Sequence, residues 1–497
     1  MRIAILLFLA IILFNGFTPH KQPQKQEKTP QKNIIFILSD DHRYDFMGFM
    51  GKVPFLETPN MDRMAAEGAH IQNAFVSTSL CSPSRASILT GQYAHHHGII
   101  DNQSLVPDTA VFFPQYLQKA GYETAFIGKW HMGEHHNSAR PGFDFWASFR
   151  GQGQYYNPLI NVNGEEVQFK DSAYVTDVLT DYALDFLQKR NQQKPFFLYL
   201  SHKAVHAEFL PAPRHRDRYA AVPPSYPKTM FPPGHERSTV DSTEYNYADV
   251  PNWVKTQRYS WHGVDYMYHG QIPFDDFYRR YCETLLGVDE SIGKVLAYLE
   301  ANKLLDNSII FYMGDNGFSF GEHGLIDKRQ AYEESMRVPL LVMGENMIAP
   351  NSKITEVIQN IDIAPTILEL AGAPIPATMD GASFASILLG KPTAWKDTIY
   401  YEYFWERAFP QTPTVHAVRT DRYKYIRYHG IWDINELYDL QADPEEMNNL
   451  IRSEAHTEVA KQLNQALFQW LEKTNGEFMP LKIDQGKRFD YKYRGTY

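Results

Sequence analysis

Short unbroken apolar runs alternate along this chain with stretches of helical period. Asn33 to Ser39 (Asn-Ile-Ile-Phe-Ile-Leu-Ser) ends in Asp40-Asp41, and Ser308 to Met313 ends in Gly314-Asp315-Asn316-Gly317. With Pro195 to Leu200, they predict strands buried on both faces, as in a parallel sheet with helices on either side. Ala69 to Val76, Tyr122 to Ile127 and Val338 to Met343 read as further strands. Thr58-Pro59-Asn60 predicts a helix start, with Thr58 as cap and Pro59 at the first helical position, and Gly68 closes that helix. Pro114 to Ala120 and Ile361 to Leu370 also read as helical. Val175, Val178, Leu179, Tyr182, Phe186 and Leu187 share one helical face. A long amphipathic helix carries Phe274, Phe277, Tyr278, Tyr281, Leu285, Val288, Ile292, Val295 and Leu299, with Cys282 packed beside that stripe.

The pattern changes across a Pro/Gly-containing stretch between Gly372 and Trp395. Beyond it, Thr398 to Phe404, His416 to Thr420 and Tyr423 to Tyr428 read as antiparallel strands, the last two joined at Asp421-Arg422, and Glu454 to Leu471 as a closing helix. A chain of 497 residues is too long for one small core, so two domains are expected, 33–380 and 395–497. The segment 211–268 is rich in Pro, Tyr and His without a period and is expected to form a lid or substrate wall. Met1-Arg2 followed by the apolar run Ile3 to Phe14 reads as a secretory signal over 1–18, with a flexible leader over 19–32; an uncleaved anchor is the alternative. The run is short for a bilayer, so no stable membrane span is expected after cleavage, and the protein is expected to be secreted or periplasmic. The 58 Asp+Glu against 48 Lys+Arg argue against a nucleic-acid partner. A few clustered cations can still hold an anionic substrate.

Four polar clusters follow predicted strands, at the edge where open α/β sheets bind ligands. Asp40-Asp41 and Asp315-Asn316 would supply three carboxylates and an amide oxygen, a hard cage suited to calcium first and magnesium next. Each pair alone would read as turn residues. Gly128-Lys129-Trp130-His131 sets a lysine and a histidine two residues apart, able to face one pocket. His202 to His206 forms the third cluster. The fourth runs from Gly321-Glu322-His323-Gly324 to Asp327-Lys328 and on to Glu333 through Pro339.

Between the clusters lies Cys81-Ser82-Pro83-Ser84-Arg85, running on through Ala86-Ser87-Ile88-Leu89-Thr90-Gly91. This stretch resembles the signature of the type I, formylglycine-dependent sulfatases, and the resemblance extends over roughly residues 33–471. It implies an alkaline-phosphatase-like α/β domain with a central mixed sheet flanked by helices, and a smaller C-terminal α+β domain with a four-stranded antiparallel sheet. It also implies that Cys81 is oxidised to formylglycine by a formylglycine-generating or sulfatase-maturating enzyme, giving an aldehyde whose hydrate attacks sulfate esters. One calcium ion would sit among Asp40, Asp41, Asp315, Asn316 and residue 81. By the same analogy Arg85 holds the hydrate, His131 takes its second proton, and Lys129 and Lys328 bind the sulfuryl group. His206 protonates the leaving alcohol and is favoured over His202, although the family's Pro-His reads Val205-His206 here. His323 either lines the pocket or packs. With Cys81 assigned to chemistry, Cys282 has no disulfide partner.

The stretch from Tyr401 to Trp405 and from His429 to Trp432 resembles N-acetylglucosamine-6-sulfatase-like enzymes, a group that includes enzymes active on algal polysaccharides such as ulvan. Trp253, Tyr259, Trp261, Tyr401, Trp405 and Trp432 offer faces for sugar rings or for packing. The implied substrate is a sulfated polysaccharide or oligosaccharide, algal or glycosaminoglycan. The alternatives are a phosphonate or phosphodiester hydrolase on the same scaffold and a catalytically silent glycan-binding protein. A pure binder has no need of the cysteine motif and both metal pairs.

Overall fold

Strand β1 (Asn33–Ser39) lies in the middle of a ten-stranded mixed sheet. The structure is a computed structural model and describes residues 31–133, 136–267, 272–391 and 393–480. The signal and nearly all of the leader expected over 1–32 lie outside the described residues. In chain order the further strands are β2 (Ala69–Phe75), β3 (Glu123–Lys129), β4 (Phe145–Phe149), β5 (Leu159–Val162), β6 (Glu165–Gln168), β7 (Phe196–Ser201), β8 (Ser308–Gly314), the short pair β9 (Ser319–Phe320) and β10 (Ile326–Asp327), β11 (Leu340–Met343) and β12 (Ser352–Gln359). The sheet order is β12-β2-β11-β8-β1-β7-β3-β4-β5-β6. Strands β8, β1, β7 and β3 are mutually parallel neighbours, while β11 is antiparallel to both β2 and β8.

The unbroken apolar runs arise because successive side chains enter two different cores. Ile35 and Ile37 join Leu198, Leu200, Ile310 and Tyr312 on one face. Ile34, Phe36 and Leu38 join Phe197, Tyr199, Phe311 and Met313 on the other. Helices α1 (Pro59–Glu67), α3 (Val175–Lys189) and α4 (Phe274–Ala301) cover the first face. Helices α2 (Cys81–Thr90) and α5 (Ile363–Leu370) cover the second. Each fully buried Ile or Phe contributes ~1.5–3 kcal/mol relative to exposure. Cys282 is buried within α4 in the first core, as expected from its place beside the stripe.

The start of α1 differs from the sequence expectation. Thr58 makes no cap bond; its hydroxyl donates to Asp62 Oδ1 (2.9 Å) instead. The free amides at the helix start are taken by Asp289 of α4, which accepts from Asn60 N (3.1 Å) and Met61 N (2.9 Å). A carboxylate here also complements the positive end of the helix dipole. Gly68 ends α1 as expected, and the reason is contact: a Cβ there would lie 2.3 Å from Val342 O.

Beyond residue 395 a smaller domain carries a four-stranded antiparallel sheet in the order β13 (Ile399–Tyr403), β14 (Thr414–Arg419), β15 (Tyr423–His429), β16 (Glu436–Asp439). One face packs Tyr401, Tyr403, Val415, Ala417 and Ile426 against Phe75, Leu80, Tyr332 and Met336 of the large domain. The other buries Val418, Tyr425 and Leu437 under Leu463, Leu467 and Trp470 of α6 (Thr457–Lys473). Among the described residues no helix is long and apolar enough to cross a membrane.

Candidate active site

Register brings the separate clusters level. Ser39 pairs with Gly314 and Leu38 with Ser201, while Gly128 pairs with Ser201 from the other side. The residues that follow, Asp40, Asp315, His202 and Lys129, therefore leave the same sheet edge together. Backbone bonds continue past the strands: Asp315 N donates to Ser39 O (3.0 Å) and Asp40 N to Ala204 O (2.9 Å). Gly128 is required at its position, since its φ is +116° and a Cβ would lie 1.8 Å from Ser201 O. Cys81 arrives from β2 as the first residue of α2 and is fully buried. Asn360 steadies that helix start, donating to Ser84 Oγ (2.9 Å) and accepting from Ser77 N (2.9 Å).

Carboxylates and cations interlock around Cys81. Its Sγ lies 3.4 Å from Asp40 Oδ1. One oxygen each of Asp40, Asp41 and Asp315 lie within 4.8 Å of one another. Lys129 Nζ pairs with Asp40, Lys328 Nζ with Asp41 Oδ2 (2.6 Å) and Arg85 Nε with Asp315 Oδ2 (2.8 Å). Arg85 also donates to Lys129 O (2.7 Å) and Ser201 Oγ (2.6 Å), which leaves its second terminal nitrogen 3.8 Å from Asp40 Oδ1. Asn316 Nδ2 donates to Asp41 Oδ1 (2.7 Å), while its buried Oδ1 has no hydrogen-bond partner among the described residues. Asp41 and His131 both hold positive φ, a conformation that non-glycine residues keep mainly where the surroundings enforce it.

The electrostatics follow from this crowding. Burial acts to raise Asp40, but Lys129, His206, Arg85 and Lys328 outweigh it and hold the carboxyl well below its usual range. Burial dominates at its neighbours: Asp41 is pushed up to about 6 against the pull of Lys328, and Asp315 to about 7, with Asp40 adding to the rise. Three dry carboxylates at such range repel one another, and a divalent cation would relieve that repulsion. Three carboxylates with an unpartnered amide oxygen fit a hard, oxygen-seeking ion. Burial, then Asp40, pushes the Cys81 thiol well above its usual value, so an unmodified cysteine here stays a neutral thiol and a poor nucleophile.

The description of the sulfatase family matches residues 32–373. The chain belongs to the sulfatase family. Its residues 321–473 also match the C-terminal region of N-sulphoglucosamine sulphohydrolase. The N-acetylglucosamine-6-O-sulfatase of Bacteroides thetaiotaomicron is 35% identical over 493 residues, spanning 90% of this chain and 87% of that relative. A solved structure of a protein in complex with its substrate, D-glucosamine-2-N,6-O-disulfate, superposes with a TM-score of 0.78 at 33% identity, covering 91% of this chain and all of the other. A phosphonate monoester hydrolase of Agrobacterium radiobacter shares the fold alone, at 19% identity and a TM-score of 0.70, over 89% of this chain and 96% of its own.

The remaining expected site residues divide. In this sulfatase His206 sits beside the carboxylates, its Nε2 3.9 Å from Asp41 Oδ2. Burial and then Lys129 hold its pKa well below the usual value. His131 has its Nδ1 3.5 Å from Ser82 Oγ, the residue next to Cys81. His202 is fully buried, and neither ring nitrogen has a hydrogen-bond partner among the described residues. His323 stacks on Tyr332 at 3.9 Å, with Nδ1 3.5 Å from Tyr245 Oη, so its described neighbours are packing partners. The long segment after residue 211 reaches the site through His262, whose Nε2 lies 3.1 Å from Asp327 Oδ2. Of the aromatic candidates, Tyr401 and Trp253 are buried in packing, whereas Tyr259, Trp405 and Trp432 are exposed.

Three residues beside the site are given no role by the sequence, Asp327 being named only within the fourth cluster. Asp327 pairs with Lys328 (3.1 Å) and with Arg329, and Arg329 Nε pairs with Glu406 Oε1 (2.8 Å). Asp327 and Arg329 both hold positive φ. Their adjacency to Lys328 in the chain is the one clue that could have found them. Lys203, between His202 and His206, is the third.

Proposed function

We propose that this sulfatase removes the 6-O-sulfate from N-acetylglucosamine or glucosamine residues of a glycosaminoglycan-type chain. The observation that carries the reading is the 35% identity, over nine-tenths of the chain, to an enzyme named for that reaction. The substrate held in the similar solved structure has the same sulfated position. The site chemistry is consistent with a monoanionic ester: Lys129, Lys328 and Arg85 converge on one buried point beside residue 81.

Conversion of Cys81 to formylglycine by a maturating enzyme accounts for a buried thiol too weakly acidic to act as it stands. Once hydrated, that aldehyde supplies a hydroxyl nucleophile and a second hydroxyl through which sulfate can later be expelled. Asp40, Asp41, Asp315 and Asn316, with residue 81, would hold one calcium ion, which lowers the nucleophile's pKa and offsets sulfate charge. Arg85 orients residue 81 from one turn along α2. Lys129 and Lys328 hold the sulfuryl oxygens and stabilise charge that builds there. His131, beside Ser82, receives the second hydroxyl's proton; His206, held neutral by burial and Lys129, gains its proton as the anionic ester arrives opposite Lys129 and passes it to the departing sugar oxygen. The apolar run at residues 3–14 supports export to the periplasm or beyond.

The deciding experiment measures sulfate release from N-acetylglucosamine-6-sulfate, from ulvan oligosaccharides and from an aryl phosphodiester, using enzyme matured in a competent host. The expected result is preference for the amino sugar, with an aldehyde at position 81 by peptide mass spectrometry and loss of both activity and thermal stability on chelation. Faster turnover of the phosphodiester would replace this reading with the hydrolase alternative. Full activity with unmodified cysteine would remove the formylglycine assignment.

A further inference from the structure

Lys203 is a buried cation in the site without a counter-ion among the described residues. It lies in the turn after β7 and is 4% exposed. The three other site cations each have a carboxylate partner: Lys129 with Asp40, Lys328 with Asp41, Arg85 with Asp315. Among the described residues the Lys203 ammonium has neither a hydrogen bond nor an ion pair; it sits over the ring of Tyr155, 4.8 Å from the centroid. An unpaired buried ammonium is costly, and such groups persist where something anionic arrives to pair with them.

The surroundings hold this amine in place. His206 N donates to Lys203 O (3.0 Å), so Lys203 and His206 spring from one turn. Val205 N donates to Asp40 O (2.8 Å), lacing that turn to the metal-pair loop. Tyr155, the platform under the amine, donates its hydroxyl to His206 O. The charges that act on Lys203 are those of the reaction centre. Burial, then Lys129, depresses it to about 8, against the pull of Asp40, Asp41 and Cys81.

We propose that Lys203 is a third lysine contact for the sulfate ester, its ammonium donating to the sulfuryl oxygens alongside Lys129 and Lys328 while Tyr155 fixes its stem. This rests on the site being the sulfate-ester pocket described above. A lysine suits the position because three rotatable donors on a compact head can follow a tetrahedral anion.

The test compares wild type with Lys203→Met, which keeps an unbranched stem against Tyr155, and with Lys203→Arg. Three quantities are read: kcat and KM on N-acetylglucosamine-6-sulfate, the inhibition constant of inorganic sulfate, and Tm. Lys203→Met is expected to raise KM and the sulfate inhibition constant together by ~10–100-fold, the size of one lost charged hydrogen bond. Its Tm should be unchanged or higher, and Lys203→Arg should recover part of the loss. Unchanged KM and inhibition constant overturn the proposal, as does weaker inhibition by free sulfate with KM on the ester unaltered. A lowered Tm with unaltered sulfate binding also overturns it, leaving a packing role. If Lys203→Met does not fold, Lys203→Gln takes its place with the same expectations. Should wild type release no sulfate from any sugar, the functional reading fails by itself. Calorimetric binding of inorganic sulfate to wild type and variant then still decides Lys203, equal affinities overturning it.

Discussion

At the scale of single residues, the division of labour among the site histidines and lysines is the point most open to measurement. A sugar alkoxide is a very poor leaving group and needs a proton in the transition state, whereas nitrophenolate leaves unaided. General acid catalysis is worth ~10²–10⁴-fold in rate. His206→Ala should therefore cost most of that factor in kcat/KM on a sulfated sugar and far less on nitrophenyl sulfate. Lys328→Ala should weaken both substrates alike, because the contact proposed for it is with the sulfuryl end. Equal losses on both substrates for His206→Ala would assign it to sulfate binding. No loss on either would transfer the proton to another group, such as His202, whose ring nitrogens are both unpartnered among the described residues.

At the scale of elements, the bond between α4 and the start of α1 replaces a local cap by a long-range one. Asp289 lies more than two hundred residues from the amides it accepts. Asp289→Ala should cost about 0.5–2 kcal/mol, the usual range for loss of a cap, read by urea denaturation. Burial pushes Asp289 up to about 6, with the bonds from Met61 and Asn60 opposing. Its folded pKa thus exceeds its unfolded one, and the folded state takes up the proton first. Stability from this group falls as pH rises from about 4 to about 6. Asp289→Asn should flatten that part of the stability profile; an unaltered slope would show that other groups set it.

The same long-range bond explains what the sequence could not reveal at α1, where Thr58-Pro59 looks like a self-sufficient start. Strands buried on both faces, such as 33–39 and 308–314, were legible because every side chain is apolar. Strands β6 and β12 were not, since Glu165–Gln168 is wholly exposed at the sheet edge and β12 mixes Lys353 and Glu356 into its run. In the site, Asp40, Asp41, Asp315 and Asn316 stood out because each pair follows an apolar run. Lys203 did not, because a lone lysine reads as solvated until Tyr155 and the loop after β7 close around it.

For the whole molecule, the two domains meet through a buried charge cluster as well as through aromatic packing. Glu333 of the large domain accepts from Arg419 Nε on β14 (2.9 Å) and Lys424 Nζ on β15 (3.2 Å). Lys424 also pairs with Glu446 (2.6 Å). Burial acts to raise Glu333, but Arg419 and Lys424 outweigh it and hold the carboxyl far below the usual range. Its contribution is present above the ordinary glutamate pKa and is lost as pH falls toward the lowered one. Removing it strands the buried Arg419, while Lys424 keeps Glu446, and leaving one partner of a buried pair uncompensated typically costs about 3–5 kcal/mol. Glu333→Ala should lower the calorimetric Tm substantially and separate the small-domain transition from the large; a single transition at the wild-type temperature would refute this account of the junction.

The burial of Cys81 also sets a clock. The side chain is inaccessible once the cage closes, and the last wall of that cage, Lys328, follows about 250 residues later in the chain. At ~5–20 residues per second, a ribosome takes roughly ten to fifty seconds to cover that distance. Under the proposed function, the enzyme that converts Cys81 would have its opportunity in that interval, or in whatever unfolded period export would add to it. A chain that folds first would be sealed with its thiol intact, stable and inactive. On that reading maturation and folding would be competing reactions, and the yield of active protein a ratio of their rates.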